Sequence, residues 1–266
     1  MLLRVGVALA CILLLGSCSC TPESVPVSGA ARAEVDQPSA FVDSLLDAAV
    51  QASGTQLLDS ATAAFRFREN LMGYDRRGDA FVYTREHRDS AGVTLVDVLS
   101  NAGVRRYVNG SERGLSPKQA ASAAEGVNSI IYFAFLPRAL RDDSVRPSYR
   151  GVDTVRGRAY HLVHVRFDEA GGGADFEDEF LYWFDIEDAS LDFLAYAYAT
   201  NGGGLRLREA YNARRVNGVA VQDYRNYRPE PPRSLGLDEL MDAYREGRLT
   251  LLSTIALEDV RIERAR

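Results

Sequence analysis

Residues 180–184 read Phe180-Leu181-Tyr182-Trp183-Phe184, a segment that is apolar on both faces of any strand it forms. Side chains alternate across a strand, so Phe180, Tyr182 and Phe184 point one way and Leu181 and Trp183 the other. Residues 191–198 behave similarly. A sheet with one wet face carries polar residues at every second position; here both faces need cover, and most of what covers them must come from elsewhere in the chain.

Period-two alternation recurs at Ala64–Arg68, Ala80–Arg85, Val93–Leu99, Arg106–Val108, Tyr160–Phe167, Leu205–Tyr211 and Val219–Tyr227, with a closing strand over Leu251–Ile262. Asn109-Gly110 and Asn217-Gly218 mark two-residue hairpins, because both residue types tolerate positive φ. Consecutive strands joined by tight turns predict an antiparallel meander. Three segments break the pattern. Phe41, Leu45, Leu46, Ala49 and Val50 share one helical face; Ser116-Pro117 is a helix start leading to Gln119–Glu125 and the apolar run Ile130–Leu136; and Leu237–Tyr244 reads as a short helix. The expected fold is mainly β (α+β): a curved antiparallel half-barrel sheet wrapped around helices, with residues 116–141 on the concave side and an amphipathic helix at the N-terminus of the domain.

The chain opens with Arg4 followed by an apolar run over Val5–Leu15, the pattern of an export signal, and shorter than the about 20 residues a spanning helix needs. Leu15-Gly16-Ser17-Cys18 then places a branched apolar residue, two small residues and a cysteine in lipobox order, a pattern that resembles bacterial lipoprotein signals. Cys18 is therefore the expected lipidation site; Cys20 is the poorer candidate, since Ser17 would then stand where the branched residue belongs. Residues 1–17 form the expected signal peptide, 18–38 the lipidated cysteine and a flexible tether, and 39–266 a single domain. Acyl chains add about 0.8 kcal/mol of membrane affinity per buried CH₂, enough to anchor without a transmembrane helix. Ser19 in place of aspartate favours the outer membrane, facing the periplasm.

Net charge of −6 argues against nucleic-acid binding, which needs a basic footprint. All three cysteines, Cys11, Cys18 and Cys20, precede the domain, so it holds no disulfide, thiol nucleophile or thiolate metal site. His161 and His164 are three apart on a strand and face opposite ways, which denies them a shared metal. No zinc-protease, nucleophile-elbow or phosphate-loop motif occurs, and neither cofactor nor metal is expected. The acidic stretch Asp168, Glu169, Asp175, Glu177, Asp178 and Glu179 suits calcium by its oxygens but lacks EF-hand spacing, so a solvated hairpin tip is the better reading.

The candidate ligand-binding residues are Tyr132, Phe133 and Phe135 on the apolar run, Trp183, the arginine pair Arg206 and Arg208, and Tyr211 and Tyr224. Alternation turns Arg206 and Arg208 to one face and Glu209 with Tyr211 to the other. Guanidinium groups directed into a concave sheet suit an anionic head group, although pairing with acids on neighbouring strands is the commoner outcome for such arginines.

Six motifs in order, Tyr74–Asp79, Asn128–Phe133, Gly171–Asp178, Tyr182–Asp185, Arg208–Asn212 and Asp223–Pro229, resemble an uncharacterised family of Bacteroidota lipoproteins. The resemblance runs from about Ala40 to the C-terminus. More loosely, the element order is similar to the lipoprotein-localisation-factor fold, and that similarity implies an open half-barrel holding acyl chains under a helical lid. The expectation is a membrane-anchored, non-enzymatic envelope protein that binds a lipid, lipoprotein or other amphiphile in its concave face. An envelope interaction module with a filled core is the alternative, and a hydrolase the third reading. Cys18→Ala should remove the acyl mass and release the protein from the membrane fraction; a variant that stays acylated and bound contradicts the lipobox.

Overall fold

The computed structural model describes residues 39–168, 177–199, 202–232 and 234–264; the expected signal peptide, Cys18, the expected tether and the triglycine Gly171–Gly173 lie outside them. The chain begins with helix α1 (Ser39–Ser53), which buries Val42, Leu45, Leu46, Ala49 and Val50 as the periodicity predicts. A meander follows: β1 (Ser60–Phe67), β2 (Asn70–Arg77), β3 (Ala80–Arg88), β4 (Thr94–Ser100), β5 (Gly103–Val108) and β6 (Ser111–Arg113). Helix α2 (Pro117–Ala134) interrupts it. A second meander then runs through β7 (Val145–Val155), β8 (Arg158–Phe167), β9 (Glu179–Asp185), β10 (Leu191–Tyr198), β11 (Gly204–Val216) and β12 (Val219–Pro229). Helix α3 (Leu240–Arg245), β13 (Leu249–Ile255) and β14 (Glu258–Arg264) close the fold.

The mainly β, antiparallel architecture is the expected one, and its strands fall into two sheets. The orders are β14-β1-β2-β3-β4-β5-β6 and β13-β12-β11-β10-β9-β8-β7. The segment read as one closing strand is two: β13 edges the second sheet, β14 edges the first, and Ala256-Leu257 carry the chain between them. Asp223, buried on β12, secures this crossing. Its carboxylate accepts the Leu257 N–H (3.0 Å), Arg214 Nη1 (3.1 Å) and Asn212 Nδ2 (2.6 Å), while Arg214 Nη2 donates to the Leu257 carbonyl.

Both Asn-Gly hairpins form, with positive φ at Asn109, Gly110, Asn217 and Gly218. Helix α2 is continuous where the sequence suggested a short helix and a separate apolar run. Ser116 caps it in a reciprocal box with Gln119, and Pro117 begins the first turn. β2 and β7 were not evident in the sequence. β7 contains Pro147 and slips register between Tyr149 and Val152, which sheet-edge placement tolerates because no further strand pairs there.

The double-sided apolar strands are covered on both faces, as their sequence requires. Phe180, Tyr182 and Phe184 pack with α1 residues Val42, Leu45 and Leu46, and with Leu136 and Leu140. Leu181 and Trp183 pack on the opposite face with Leu162, Phe193, Leu207, Leu240 and Met241, so α3 is the second cover. The third cluster joins the sheets: Phe65, Met72 and Tyr74 of the first meet Val127, Ile131 and Phe135 of the α2 region and Val219 and Val221 of the second.

Helix α2 lies over β3, β4 and β5. Beneath it Asp97 is fully buried and accepts Arg85 Nη2 (2.7 Å), Arg106 Nε (2.6 Å) and Arg106 Nη2 (3.0 Å). A Cβ on Gly126 would stand 2.1 Å from Arg85 Nη1, so the helix approaches this triad closely only because the position is glycine. Burial pushes the Asp97 carboxyl up, but the Arg106 and Arg85 hydrogen bonds outweigh it and hold the group below the usual carboxylate range. Its contribution to stability is therefore complete above the ordinary aspartate pKa of about 3.9 and fades as pH falls through the lowered value. Asp97→Asn should cost about 3 kcal/mol in urea unfolding at pH 7, because two arginines lose their counter-ion. The difference from wild type should shrink below about pH 4; a difference independent of pH contradicts this account.

Candidate functional site, a cavity between the sheets

A cavity of about 860 Å³ opens between the two sheets beside the C-terminal half of α2. Its size falls within the roughly 300–1,000 Å³ typical of small-molecule sites. One wall comes from β1 to β3, with Phe67, Tyr74, Arg76 and Tyr83; another from β8 to β12, with Phe167, Phe180, Tyr196, Arg206, Arg208, Tyr224 and Asn226. The α2 residues Ser129–Ala134 and the following Phe135 lie between them.

Six of the sequence-derived candidates meet here: Tyr132, Phe133, Phe135, Arg206, Arg208 and Tyr224. Two do not. Trp183 is 1% exposed on the far side of the second sheet, where its indole N–H donates to Asp153 Oδ2 at 2.8 Å. The alternation that turns Phe180 and Tyr182 inward turns Trp183 away. Tyr211 likewise faces outward with Glu209, beneath the Arg225 guanidinium at 4.7 Å from its ring centroid. Phe180, Tyr196 and Asn226 line the wall without having been candidates. Each lies on the face of Arg206 and Arg208 in register: Arg206 opposes Tyr196, Arg208 opposes Asn226, and Tyr196 opposes Phe180. Cross-strand register was the signal that would have found them.

Aromatic rings make up much of the wall. Phe133 sits 5.4 Å from Tyr196 and 6.3 Å from Phe180, and Phe180 stacks on Tyr196 at 5.4 Å. Phe135 packs edge-on against Phe65 and Tyr74 at 5.5 and 5.2 Å. Tyr132 turns its ring toward the cavity and its hydroxyl into the core, where it meets the Tyr182 hydroxyl at 2.6 Å. Burial pushes both hydroxyls far above the ordinary tyrosine range, and pushes Tyr224 up to about 12 despite a hydrogen bond from Gln222 (2.8 Å) and the Arg208 charge. All three are neutral near pH 7.

The Arg208 guanidinium lies 3.8 Å from the Phe133 ring centroid and 5.2 Å from that of Tyr196, to whose hydroxyl Nη2 donates at 2.8 Å. Arg206 lies over Tyr198 at 5.1 Å and donates to the Leu205 carbonyl at 2.8 Å.

The histidines stand apart from this cavity. His161 Nδ1 meets the Tyr149 hydroxyl at 2.9 Å, and burial lowers its pKa. His164 bridges Glu179 (3.0 Å) and Arg150 (3.2 Å), and no serine hydroxyl is hydrogen-bonded to either ring among the described residues. No cluster of three or more His, Cys, Asp or Glu side chains forms a metal site among the described residues, and Glu169 and Asp175 of the acidic stretch lie outside them.

A two-sheet antiparallel fold that holds an aromatic, arginine-bearing cavity is the class defined by this geometry. The chain belongs to a family of unknown function, DUF6503, whose model matches residues 60–257. No curated protein matches the sequence. Similar solved structures include a LolA superfamily protein from Nitrosomonas europaea, at 11% identity over 84% of this chain and 93% of that one, with a TM-score of 0.48. A putative outer membrane lipoprotein-sorting protein domain from Vibrio parahaemolyticus shares 8% identity over 82% and 91%, with a TM-score of 0.42. A DUF1329 family protein from Desulfovibrio piger shares 11% over 83% and 92%, with a TM-score of 0.39.

Tyr132→Phe leaves the buried Tyr182 hydroxyl without its partner and should cost about 1–3 kcal/mol in chemical denaturation. A cost near zero would show that the hydroxyl pair does not hold α2 against the second sheet.

Proposed function

We propose that the protein is a lipid-anchored lipoprotein of the cell envelope, at the outer membrane and facing the periplasm, that holds an amphiphile in this cavity without transforming it. The observation that carries the reading is the cavity itself. It is a space of about 860 Å³ whose wall combines closely packed aromatic rings with two arginines on one strand. The aromatic part of the wall favours a hydrocarbon chain, because burying apolar surface is the dominant favourable term in association. The charged groups among the lining, from Arg76 and Asp79 through Arg138 and Asp142 to Arg206 and Arg208, favour a ligand with a polar head. A simple core would be filled, since protein interiors pack at close to crystal density and an open space forfeits dispersion contacts.

The anchor part of the proposal rests on Cys18 and the sequence around it. No helix among the described residues is long and apolar enough to cross a membrane; in this reading acyl chains on Cys18 supply the anchor. The interaction-module reading has less support: among the described residues the exposed large apolar side chains are Leu71, Val82, Val152, Ile186, Leu251 and Leu252, with no aromatic ring among them.

The protein purified from its own envelope should show, in native mass spectrometry, a lipid that dissociates on mild activation while the mass on Cys18 remains. Ser129→Trp projects a large ring from α2 into the cavity and should lose the dissociable lipid while keeping the far-ultraviolet circular dichroism of wild type. Wild-type protein that carries no dissociable lipid, and takes up none from mixed phospholipid vesicles, overturns the proposal.

A further inference from the structure

We infer that the ligand is anionic, with a carboxylate or phosphate head group seated on the Arg208 guanidinium; the inference rests on the amphiphile reading and sharpens it. Arg208 is 9% exposed, so its charge has left bulk water almost entirely. A buried charge is costly unless it is paired. Two half-buried arginines of the cavity lining obey that rule: Arg138 holds Asp59 at 2.7 Å and Asp142 at 3.0 Å, and Arg76 lies 3.9 Å from Asp59. Arg208 has no carboxylate within salt-bridge distance among the described residues. Its neutral contacts are the Phe133 and Tyr196 rings and one hydroxyl, and its Nε has no hydrogen-bond partner.

Cation–π contacts attract a guanidinium without neutralising it. Tyr182 and Tyr224 lie within the field of Arg208, but both stay protonated near pH 7 and add no negative charge. Asn226, opposite Arg208 in register, leaves its amide oxygen unpartnered as well, so two adjacent wall positions carry unused polar atoms. Arg206 is two residues away on the same face and also has no carboxylate partner among the described residues. A planar guanidinium matches carboxylate and phosphate oxygens and keeps its charge at any physiological pH. The neighbouring rings of Phe133, Phe180 and Tyr196 then receive the start of the hydrocarbon chain.

The test compares probes with the same chain and different heads on the wild-type protein: palmitate, hexadecyl phosphate and the neutral monopalmitoylglycerol, with acetate and inorganic phosphate as chainless anions. Titration calorimetry at pH 7.5 should show the two anionic amphiphiles binding about tenfold or more tightly than the neutral one, the scale of a charge-assisted hydrogen bond. Acetate and inorganic phosphate should bind far more weakly than either. Arg208→Met keeps an unbranched stem and removes the charge; it should abolish the preference, so that palmitate and hexadecyl phosphate bind this variant no more tightly than monopalmitoylglycerol does. The wild-type series decides the matter even if that variant does not fold. Equal affinity for charged and neutral heads overturns the anionic inference and leaves the amphiphile reading standing. Failure of every amphiphile to bind overturns both. Chainless anions binding as tightly as palmitate would mark a small-anion site and contradict both as well.

Discussion

The two sheets are registered against each other by a crossing only two residues long. Ala256-Leu257 carry the chain from the edge of one sheet to the edge of the other, and Asp223 grips that crossing by accepting the Leu257 N–H while Arg214 binds its carbonyl. A buried carboxylate is tolerable here because three donors surround it. Most strand pairings are sequential within one meander; the exceptions are β13, which joins β12 only after α3, and β14, which returns from the end of the chain to pair with β1. What hairpins cannot set is how one sheet meets the other. The cavity takes its walls from both, and its shape depends on that junction.

Helix α2 is the second determinant. Its first half is held to the first sheet over the Asp97 triad, and its last turn presents Tyr132 and Phe133 to the second. The helix thereby stands between the walls instead of closing them together. The rings beside it are large and mutually packed, so the wall resists collapse. The arginines around the open space differ in state. Arg138 is neutralised by aspartates, whereas Arg208 is held by rings and a hydroxyl, a distribution that leaves one buried positive charge facing the open space.

Much of this was legible in the chain. Asn109-Gly110 and Asn217-Gly218 announced their hairpins because few dipeptides accept two positive φ values. The segment Phe180–Phe184 announced cover on both faces, and the Arg206/Arg208 spacing placed both on one face and Glu209 with Tyr211 on the other. β2 escaped notice because Gly73 and the charged Asp75-Arg76-Arg77 dilute its alternation; Met72 and Tyr74 carry its buried face. β7 escaped because its bulge near Gly151 shifts the period partway along. Trp183 and Tyr211 have the chemistry of a ligand wall, but the alternation that turns them away from the cavity is visible in the same strands. The two-sheet division, and whether the concave space is filled, depend on contacts between distant segments that no local pattern encodes.

The central claim is that the space between the sheets is a ligand site. Electron density from crystals of protein purified from its native envelope, without added detergent, tests it most directly. The account predicts one elongated, continuous density between the sheets, running along the Phe133 and Phe180 rings and ending in a head within hydrogen-bond distance of the Arg208 guanidinium. A cavity closed by rearranged side chains, or occupied by ordered water alone along those rings, would contradict it.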